Sequence, residues 1–317
     1  MRVGNVFTAW ADVLAAALIC GFPFSGHLLT VLLIAGCSSC LYLGGMVLND
    51  IADLERDRVL RPARPLPAGL VSLPTARLLA VLLFVGGLVC GWLAGATPGI
   101  LATVLLLAVV AYDLLLKRTA LGPATMGLCR CLNFCLGLAV FPHALWLPTD
   151  LSVPLVGRVG TMAAVGLGLY TMSVTRFARR EDVGGGRIEL ATAILGMNLG
   201  LLMAGFAALA LRTAQAHQPV TGPWPWFPYH VELLQHGEQP MRFLWWIVLI
   251  GWVNGVTLPA VLHPSPQRIQ AAVRWLLVGI VLYDAAVTGF VRGPLVALWL
   301  LPLAALPAIL SRWIPAT

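Results

Sequence analysis

Charge is the property that this sequence lacks most. Asp, Glu, Lys and Arg make up only 10% of the 317 residues, whereas a soluble domain carries about 25%. Hydrophobic residues make up 59%, and the mean hydropathy is +0.89. So little charge excludes an ordinary water-soluble globular protein and indicates a chain that lies largely within a lipid bilayer.

Apolar runs of about 20 residues, the length that crosses a bilayer, recur along nearly the whole chain. Each run predicts an α-helix, because a helix satisfies every backbone group within the lipid. We expect one domain over residues 1–317, an all-α polytopic membrane protein with nine or ten transmembrane helices. The expected spans are 6–24, 28–48, 74–95, 98–116, 119–141, 158–178, 188–211, 242–262, 271–291 and 294–312.

The net charge of +7 would suit a nucleic-acid-binding protein, but the placement of the basic residues argues against that function. If the N-terminus is cytoplasmic, most of the 20 Lys and Arg residues fall in cytoplasmic segments. We expect a multi-pass protein of a bacterial inner membrane, and the positive-inside pattern orients it so that residues 49–69 and the segment around Arg179 share the cytoplasmic side. Two longer loops, near 142–157 and 212–241, are expected on the outer side.

Three carboxylates lie close together after the second span. Asp50, Asp53 and Asp57 are spaced i, i+3 and i+7, so on an α-helix they lie on nearly one face. Such carboxylates repel one another unless a cation neutralises them, and oxygen-only ligand sets suit Mg²⁺. We therefore predict these three as the catalytic and metal-binding residues, with Mg²⁺ as the cofactor. The alternative is a loop at the membrane surface with mixed charges.

Basic residues accompany these carboxylates. Arg61 and Arg64 follow directly, and guanidinium groups hold phosphate oxygens through paired hydrogen bonds. Tyr112 and Lys117 lie at the inner end of the fourth span, on the same side of the membrane. Lys117 is predicted either to contact phosphate or only to mark the end of the span. Carboxylates for Mg²⁺ beside these cations predict a diphosphate site.

Two polar residues lie inside the fifth span. A charged side chain at the depth of Arg130 costs about 2.5–3.5 kcal/mol, so it normally faces a polar cavity or partner. Asn133 follows one turn later on the same face. We predict that both residues line a substrate cavity. The alternative is that Arg130 extends to the inner membrane surface. Asp284, in the ninth span, is a further intramembrane carboxylate, and the sequence suggests no partner for it.

The third polar cluster on the inner side contains Thr175, Arg179 and Glu181. Glu181 and Asp182 are adjacent and so lie on different helix faces, which excludes a metal cluster made by these two alone. Arg179 is better suited to an anion than to a cation. We include the three residues of this cluster among the candidate substrate-binding residues.

The acidic segment and the residues after it resemble the first Asp-rich motif of the UbiA superfamily of membrane prenyltransferases. The residues that carry this resemblance are Asn49-Asp50-x-x-Asp53-x-x-x-Asp57 and Arg61-Pro62-x-Arg64-Pro65-Leu66-Pro67-x-Gly69. The resemblance implies a helical bundle around a central cavity and Mg²⁺-dependent transfer of an isoprenyl group from an isoprenyl diphosphate to an aromatic or other lipophilic acceptor. It also implies that Asn49 and the three carboxylates hold Mg²⁺ and the diphosphate. Lys117 is similar to a basic residue that follows a Tyr in the family, although the spacing here is one residue longer.

The chain departs from the family in its second motif. That motif normally carries carboxylates one helical turn apart, whereas Thr175 and Arg179 stand in those places here. Together with Arg130-x-x-Asn133, this departure resembles the EboC-like branch, which is associated with gene clusters for secondary metabolites. By this resemblance, Arg179 either replaces the charge of a metal ion at the diphosphate or marks a loss of catalysis.

Two other functions are compatible with the sequence. A non-catalytic carrier or scaffold for a lipophilic precursor of a secondary metabolite would keep the bundle and need only a binding cavity. Ion transport is less well supported, because paired ionisable residues do not follow one another across the spans.

Overall fold

The computed structural model describes residues 6–21, 26–141, 155–181, 184, 186–215 and 239–310. All regular elements within these ranges are helices, and no strand is found among them. The predicted fold class, an all-α helical bundle, is confirmed. Most of the two long outer loops that the sequence predicts falls outside the described ranges.

The helices, numbered in chain order, are α1 (Val6–Cys20), α2 (Leu28–Ala52), α3 (Leu54–Leu60), α4 (Leu73–Ala94), α5 (Ala96–Ala111), α6 (Gly122–Leu138), α7 (Leu155–Ala178), α8 (Arg187–Gln215), α9 (Gln239–Leu262), α10 (Pro266–Arg292), α11 (Pro294–Ala297) and α12 (Leu301–Leu310). A π-helical turn, Tyr112–Leu116, continues α5.

Six helices in the described part of the chain are long and apolar enough to cross a membrane. They are α2, α4, α5 with its π-helical turn, α8, α9 and α10. Helix α1 and the segment Pro294–Leu306 are apolar but shorter. The predicted last span, 294–312, is divided between α11 and α12. The structure therefore supports a multi-pass membrane protein, and the expected count of nine or ten spans stays a prediction.

Two apolar clusters hold the bundle together. The larger cluster joins α1 and α6 to α7, α8, α9 and α10 and to the C-terminal helices, and the smaller one joins α1 and α6 to α2 and α5. Helices α1 and α6 contribute to both clusters, so they connect the two halves of the bundle. Helix α4 packs against α2 and α5 but leaves large side chains such as Leu78, Leu82 and Leu93 exposed, as expected for a face in contact with lipid.

Glycines allow α7 to approach α6 and α8 closely. A Cβ atom at Gly127 would lie under 3.0 Å from the carbonyl oxygen of Gly168, and a Cβ at Gly200 would lie equally close to that of Gly166. Backbone atoms cannot move aside as the end of a flexible side chain can. Small residues at such contacts are typical of membrane helices, where close van der Waals packing drives association.

We predict that Gly200→Ala destabilises the protein, because the added methyl group meets a backbone carbonyl. Overpacking of this kind costs about 1–3 kcal/mol, which exceeds the gain of about 1 kcal/mol from replacing a helical glycine. Thermal unfolding in detergent micelles should show a lower midpoint. Gly251→Ala is the matched control, since a Cβ there has nothing within 4 Å. Equal midpoints for the two variants would contradict the close approach.

Candidate active site

The Asp-rich segment does not form one continuous helix. Asp50 lies in the last turn of α2, Asp53 lies at the break between α2 and α3, and Asp57 lies in α3. The interruption is one residue long, because the N–H groups of Asp53 and Asp57 still donate to the carbonyl oxygens four residues earlier, and a shared face for the three carboxylates stays a prediction. Aspartate is a weak helix former, and the carboxylate of Asp53 is held by cations from another segment of the chain.

Lys117 connects the end of α2 to the π-helical turn after α5. Its ammonium group donates hydrogen bonds to Asn49 Oδ1 and Asp53 Oδ2, and Arg118 Nη2 lies 3.3 Å from Asp53 Oδ1. The backbone N–H of Lys117 donates to the carbonyl oxygen of Tyr112 at 2.8 Å, a π-type bond between residues five apart. A π-helical turn accommodates one extra residue, which accounts for the longer spacing between the Tyr and the Lys.

Arg64 makes the corresponding contacts with the other two carboxylates. Its Nη1 atom donates to Asp57 Oδ2 and lies 3.8 Å from Asp50 Oδ1. Asp57 is buried, so this ion pair neutralises a charge that is largely removed from water. Arg61 is exposed. Of the two arginines predicted to hold phosphate, the structure places only Arg64 among the carboxylates.

The ionisation of Asp53 depends on its two cationic partners. Burial by itself raises the pKa of the Asp53 carboxyl. The hydrogen bonds and positive charges of Lys117 and Arg118 outweigh that effect, so the pKa is lowered below its ordinary value. Asp53 therefore stays ionised throughout the neutral range and is available to a cation.

The residues at this end of α2 match the ligand chemistry of Mg²⁺. Asn49, Asp50 and Asp53 supply only oxygen ligands, and the Lys117 ammonium already lies between Asn49 and Asp53, where a cation is favourable. In the described part of the chain, no three acidic, His or Cys side chains converge in a metal-binding arrangement. The carboxylates instead face Lys117, Arg118 and Arg64. Mg²⁺ binding by Asp50, Asp53 and Asp57 stays a prediction.

A cavity of about 450 Å³ opens beside Lys117 and extends between α2, α5, α6, α7 and α10. The polar residues at its mouth are Asn49, Tyr112, Asp113, Lys117 and Thr175. Apolar side chains form most of the remaining wall. Asn49 and Ser38 both line it from α2, and the helical rise between them makes the cavity roughly 16 Å deep. It therefore combines a charged mouth with an apolar interior.

Arg130 and Asn133 lie at the deep end of this cavity. Arg130 donates to Asp12 Oδ2 at 2.7 Å and to the hydroxyl group of Thr8. Asn133 donates to the same Asp12 oxygen at 2.8 Å and accepts a hydrogen bond from Ser38 at 2.6 Å. Arg130 is thus paired within the bundle and does not extend to the membrane surface.

The third predicted cluster is only partly at the cavity. Thr175 lines the wall, and its hydroxyl group donates to the Thr171 carbonyl at 2.8 Å. Arg179 donates to the backbone carbonyls of Lys117, at 3.3 Å, and Thr119. Glu181 is not among the cavity-lining residues. Arg179 therefore holds the turn that carries Lys117, a contact that the sequence could not show.

The sequence reasoning missed Thr8, Asp12 and Ser38. A charged residue inside the first apolar run was the available signal, since Asp12 must find a partner within the bundle. Asp284, for which the sequence suggested no partner, interacts electrostatically with both Asp12 and Arg130.

Comparisons with known proteins agree with this architecture. The chain matches the UbiA prenyltransferase family over residues 5–231. It is 30% identical over 222 residues to the digeranylgeranylglyceryl phosphate synthase of Methanothermobacter thermautotrophicus, a match that covers 68% of this chain and 72% of that protein. It is 41% identical over 88 residues to the synthase of the same name from Methanoculleus marisnigri, across 28% of this chain and 32% of the relative.

Two solved structures share the fold at low sequence identity. A UbiA homolog from Aeropyrum pernix K1 superimposes with a TM-score of 0.58 at 17% identity, over 90% of this chain and 97% of the other. A structure of a digeranylgeranylglyceryl phosphate synthase gives a TM-score of 0.53 at 18% identity, over 92% and 95% of the two chains.

The protein is a member of the UbiA prenyltransferase family. Membership makes it an integral multi-pass membrane protein of the prenyltransferase class, with an isoprenyl diphosphate as donor. The curated relatives do not establish the EboC-like branch that the sequence suggested, since they carry the name of another synthase.

We predict that Lys117→Met lowers the stability of the protein by about 1–3 kcal/mol at neutral pH, because Asp53 loses its main partner. A carboxyl with a lowered pKa contributes stability above its unfolded-state pKa of about 3.9 and loses it as the pH falls through its folded-state value. The deficit of the variant should therefore shrink below about pH 4. Thermal unfolding of both proteins across this range tests the expectation.

Arg58→Met serves as the control, because the Arg58–Glu55 pair lies in the same region but is 57% and 83% exposed. Such surface pairs contribute little. A Lys117→Met deficit that does not change with pH, or that is no larger than in the control, would contradict the assignment.

Proposed function

We propose that this protein catalyses the Mg²⁺-dependent transfer of an isoprenyl group from an isoprenyl diphosphate to a lipophilic acceptor, with release of diphosphate. The observation that carries the proposal is the Asn49–Lys117–Asp53 contact at the mouth of an apolar cavity. Charged groups at the mouth suit a diphosphate, and the apolar interior suits a hydrocarbon chain.

The reaction breaks one bond and forms another. The C1–O bond of the donor breaks, and its electron pair leaves with the diphosphate. The acceptor nucleophile then supplies an electron pair for the new bond to C1, and the acceptor loses a proton. The barrier falls where the enzyme stabilises negative charge on the leaving group as it develops.

Lys117, which lines the mouth, and the basic residues beside it are suited to that stabilisation. Lys117 and Arg118 meet at Asp53, and Arg64 lies between Asp50 and Asp57. Their positions are held by the folded protein, so little reorganisation is needed during the reaction. Mg²⁺ held by Asn49, Asp50, Asp53 and Asp57 would add a Lewis acid that neutralises charge on the diphosphate oxygens. Arg179 supports Lys117 through its backbone and stands where the family's second motif has a carboxylate.

The interior of the cavity is suited to protecting a reactive allylic cation. Leu105, Val109 and Leu277 contribute apolar walls, and Tyr112 borders the mouth. An apolar wall limits the access of water, which would otherwise compete with the acceptor. This arrangement suits prenyl transfer better than ion transport, because the charged side chains that line the cavity lie only at its mouth and its deep end.

Two kinds of evidence bear on the chemical class of the acceptor. The family resemblance favours an aromatic acceptor, and the EboC-like pattern at Arg130, Asn133 and Arg179 favours a secondary metabolite. The names of the curated relatives favour a glyceryl phosphate acceptor instead. A panel that contains both acceptor types would separate these possibilities. We place the active site at the cytoplasmic face of the membrane, as the positive-inside pattern predicts, and the EboC-like resemblance favours a bacterial inner membrane.

We predict that Asp53→Asn reduces Mg²⁺-dependent diphosphate release by at least about 10²-fold, a loss typical of removing one electrostatic contact in an active site. Release should be measured on purified protein with geranylgeranyl diphosphate and the acceptor panel, with and without Mg²⁺. Glu55→Gln is the matched control, because Glu55 lies in the same segment but is exposed.

A non-catalytic carrier would give a different result. Its cellular function would survive Asp53→Asn at normal protein levels, since a carrier needs the cavity but no leaving-group chemistry. Wild-type protein that releases no diphosphate with any donor and acceptor would overturn the proposed function in favour of the carrier.

A further inference from the structure

A buried polar cluster lies at the deep end of the cavity, away from the diphosphate side. It consists of Thr8, Asp12, Ser38, Arg130, Asn133 and Asp284, contributed by α1, α2, α6 and α10. Asp12 and Asp284 are fully buried, and the Arg130 side chain is only 12% exposed. No step of the proposed reaction uses this cluster.

The hydrogen bonds of the cluster leave capacity for a further partner. Arg130 uses one N–H group on Asp12 and one on Thr8, and a guanidinium carries more donors than these two bonds use. The carboxyl groups of Asp12 and Asp284 face one another and do not line the cavity, so the spare donors of Arg130 are the ones open to a ligand. Buried polar atoms of this kind are costly unless a ligand, a proton or water satisfies them.

The charge balance restricts what the cluster can bind. Arg130 supplies one positive charge, and the carboxylate of Asp12 neutralises it at 2.7 Å. A second ionised carboxylate, on Asp284, would have no counter-charge within the cluster and would therefore be costly. The cluster as a whole therefore has no net positive charge to offer an anion, but it does offer hydrogen-bond donors.

We propose that the deep end of the cavity binds an uncharged hydroxyl or carbonyl group of the acceptor, through Arg130 together with Asn133 and Ser38. This inference rests on the proposed function and names the class of its second substrate. Arg130, Asn133 and Ser38 line the cavity. Asp12 and Thr8 act behind them as positioning residues, because they hold the guanidinium in place.

The position of the cluster suits an acceptor ring beneath the donor. Tyr42 and Asn49 both line the cavity from α2, and Tyr42 interacts electrostatically with Arg130. The helical rise between them places this level roughly 10 Å below the mouth. A ring that contacts Arg130 would thus have its other edge near the C1 atom of a donor whose diphosphate is at Lys117. An acceptor that carries a phosphate group would have to place this charge either in the buried cluster, which has no net positive charge, or at the mouth of the cavity.

Binding of small probes to protein in lipid nanodiscs tests the proposal without any donor. We expect calorimetry to show that 4-propylphenol binds about tenfold more tightly than propylbenzene, because a hydrogen bond to a charged group has about this effect. We expect no saturable binding of 4-propylbenzoate. Empty nanodiscs correct for partition of the probes into lipid.

Variants test whether the buried polar cluster causes the preference for 4-propylphenol over propylbenzene. Asp12→Asn combined with Arg130→Met removes both charges together and should bring the affinities for phenol and propylbenzene within about twofold. Ile280→Phe, which fills the cavity near the cluster and leaves the charges in place, should weaken phenol binding at least about tenfold. Asn198→Leu combined with Asn254→Leu is the matched control, since this reciprocal amide pair joins α8 to α9 and does not line the cavity.

Three results would overturn the proposal. They are equal binding of 4-propylphenol and propylbenzene by the wild type, tightest binding of 4-propylbenzoate, or a preference for 4-propylphenol that survives both in the Asp12→Asn and Arg130→Met double variant and in Ile280→Phe. Diphosphate release is measured separately on the same preparations. A preference for phenol without any prenyl transfer would overturn the proposed function and leave the binding site standing, whereas transfer without the preference would overturn only this inference.

Discussion

The contact of Lys117 with Asn49 and Asp53 is the interaction on which the active site depends. It joins the end of α2 to the π-helical turn after α5, two segments that are far apart in the sequence. It also neutralises a carboxylate that is mostly buried, which would otherwise be costly near a bilayer. Arg179 supports the contact from α7 through the backbone of Lys117 and Thr119. The ends of α2, α5 and α7 thus meet at the segment that carries Lys117.

The same constraint acts at both ends of the cavity. A bilayer supplies no water to ionised groups, so each charge within the bundle needs a partner from another helix. Beside the mouth Lys117 pairs with Asp53, which does not itself line the cavity, and at the deep end Arg130 pairs with Asp12. The apolar wall between the two ends gives the cavity its suitability for a hydrocarbon chain. The cavity is polar at both ends and apolar between them. This arrangement suits a donor and an acceptor that bind one above the other.

Several features were predictable from the sequence because they depend on local pattern. The apolar runs predicted the helices, and nine of the ten expected spans coincide with a helix of the described chain within a few residues. The motif from Asn49 to Asp57 indicated the prenyltransferase family, which the comparisons confirm. The depth of Arg130 in its span required a polar partner. The pairing of Asp53 with Lys117 and Arg118 was not predictable in this way, because these cations lie in another segment of the chain.

The sequence by itself determined the all-helical membrane fold, the family and the position of the acidic segment, since apolar run length and motif spacing are properties of neighbouring residues. Only the tertiary structure decided which charges meet. It paired Arg130 with Asp12, brought Asp284 to the same cluster, and turned Arg179 towards the backbone around Lys117. The reason is physical: burial makes an unpaired charge costly, and its partner is selected by the packing of helices that are distant in the chain.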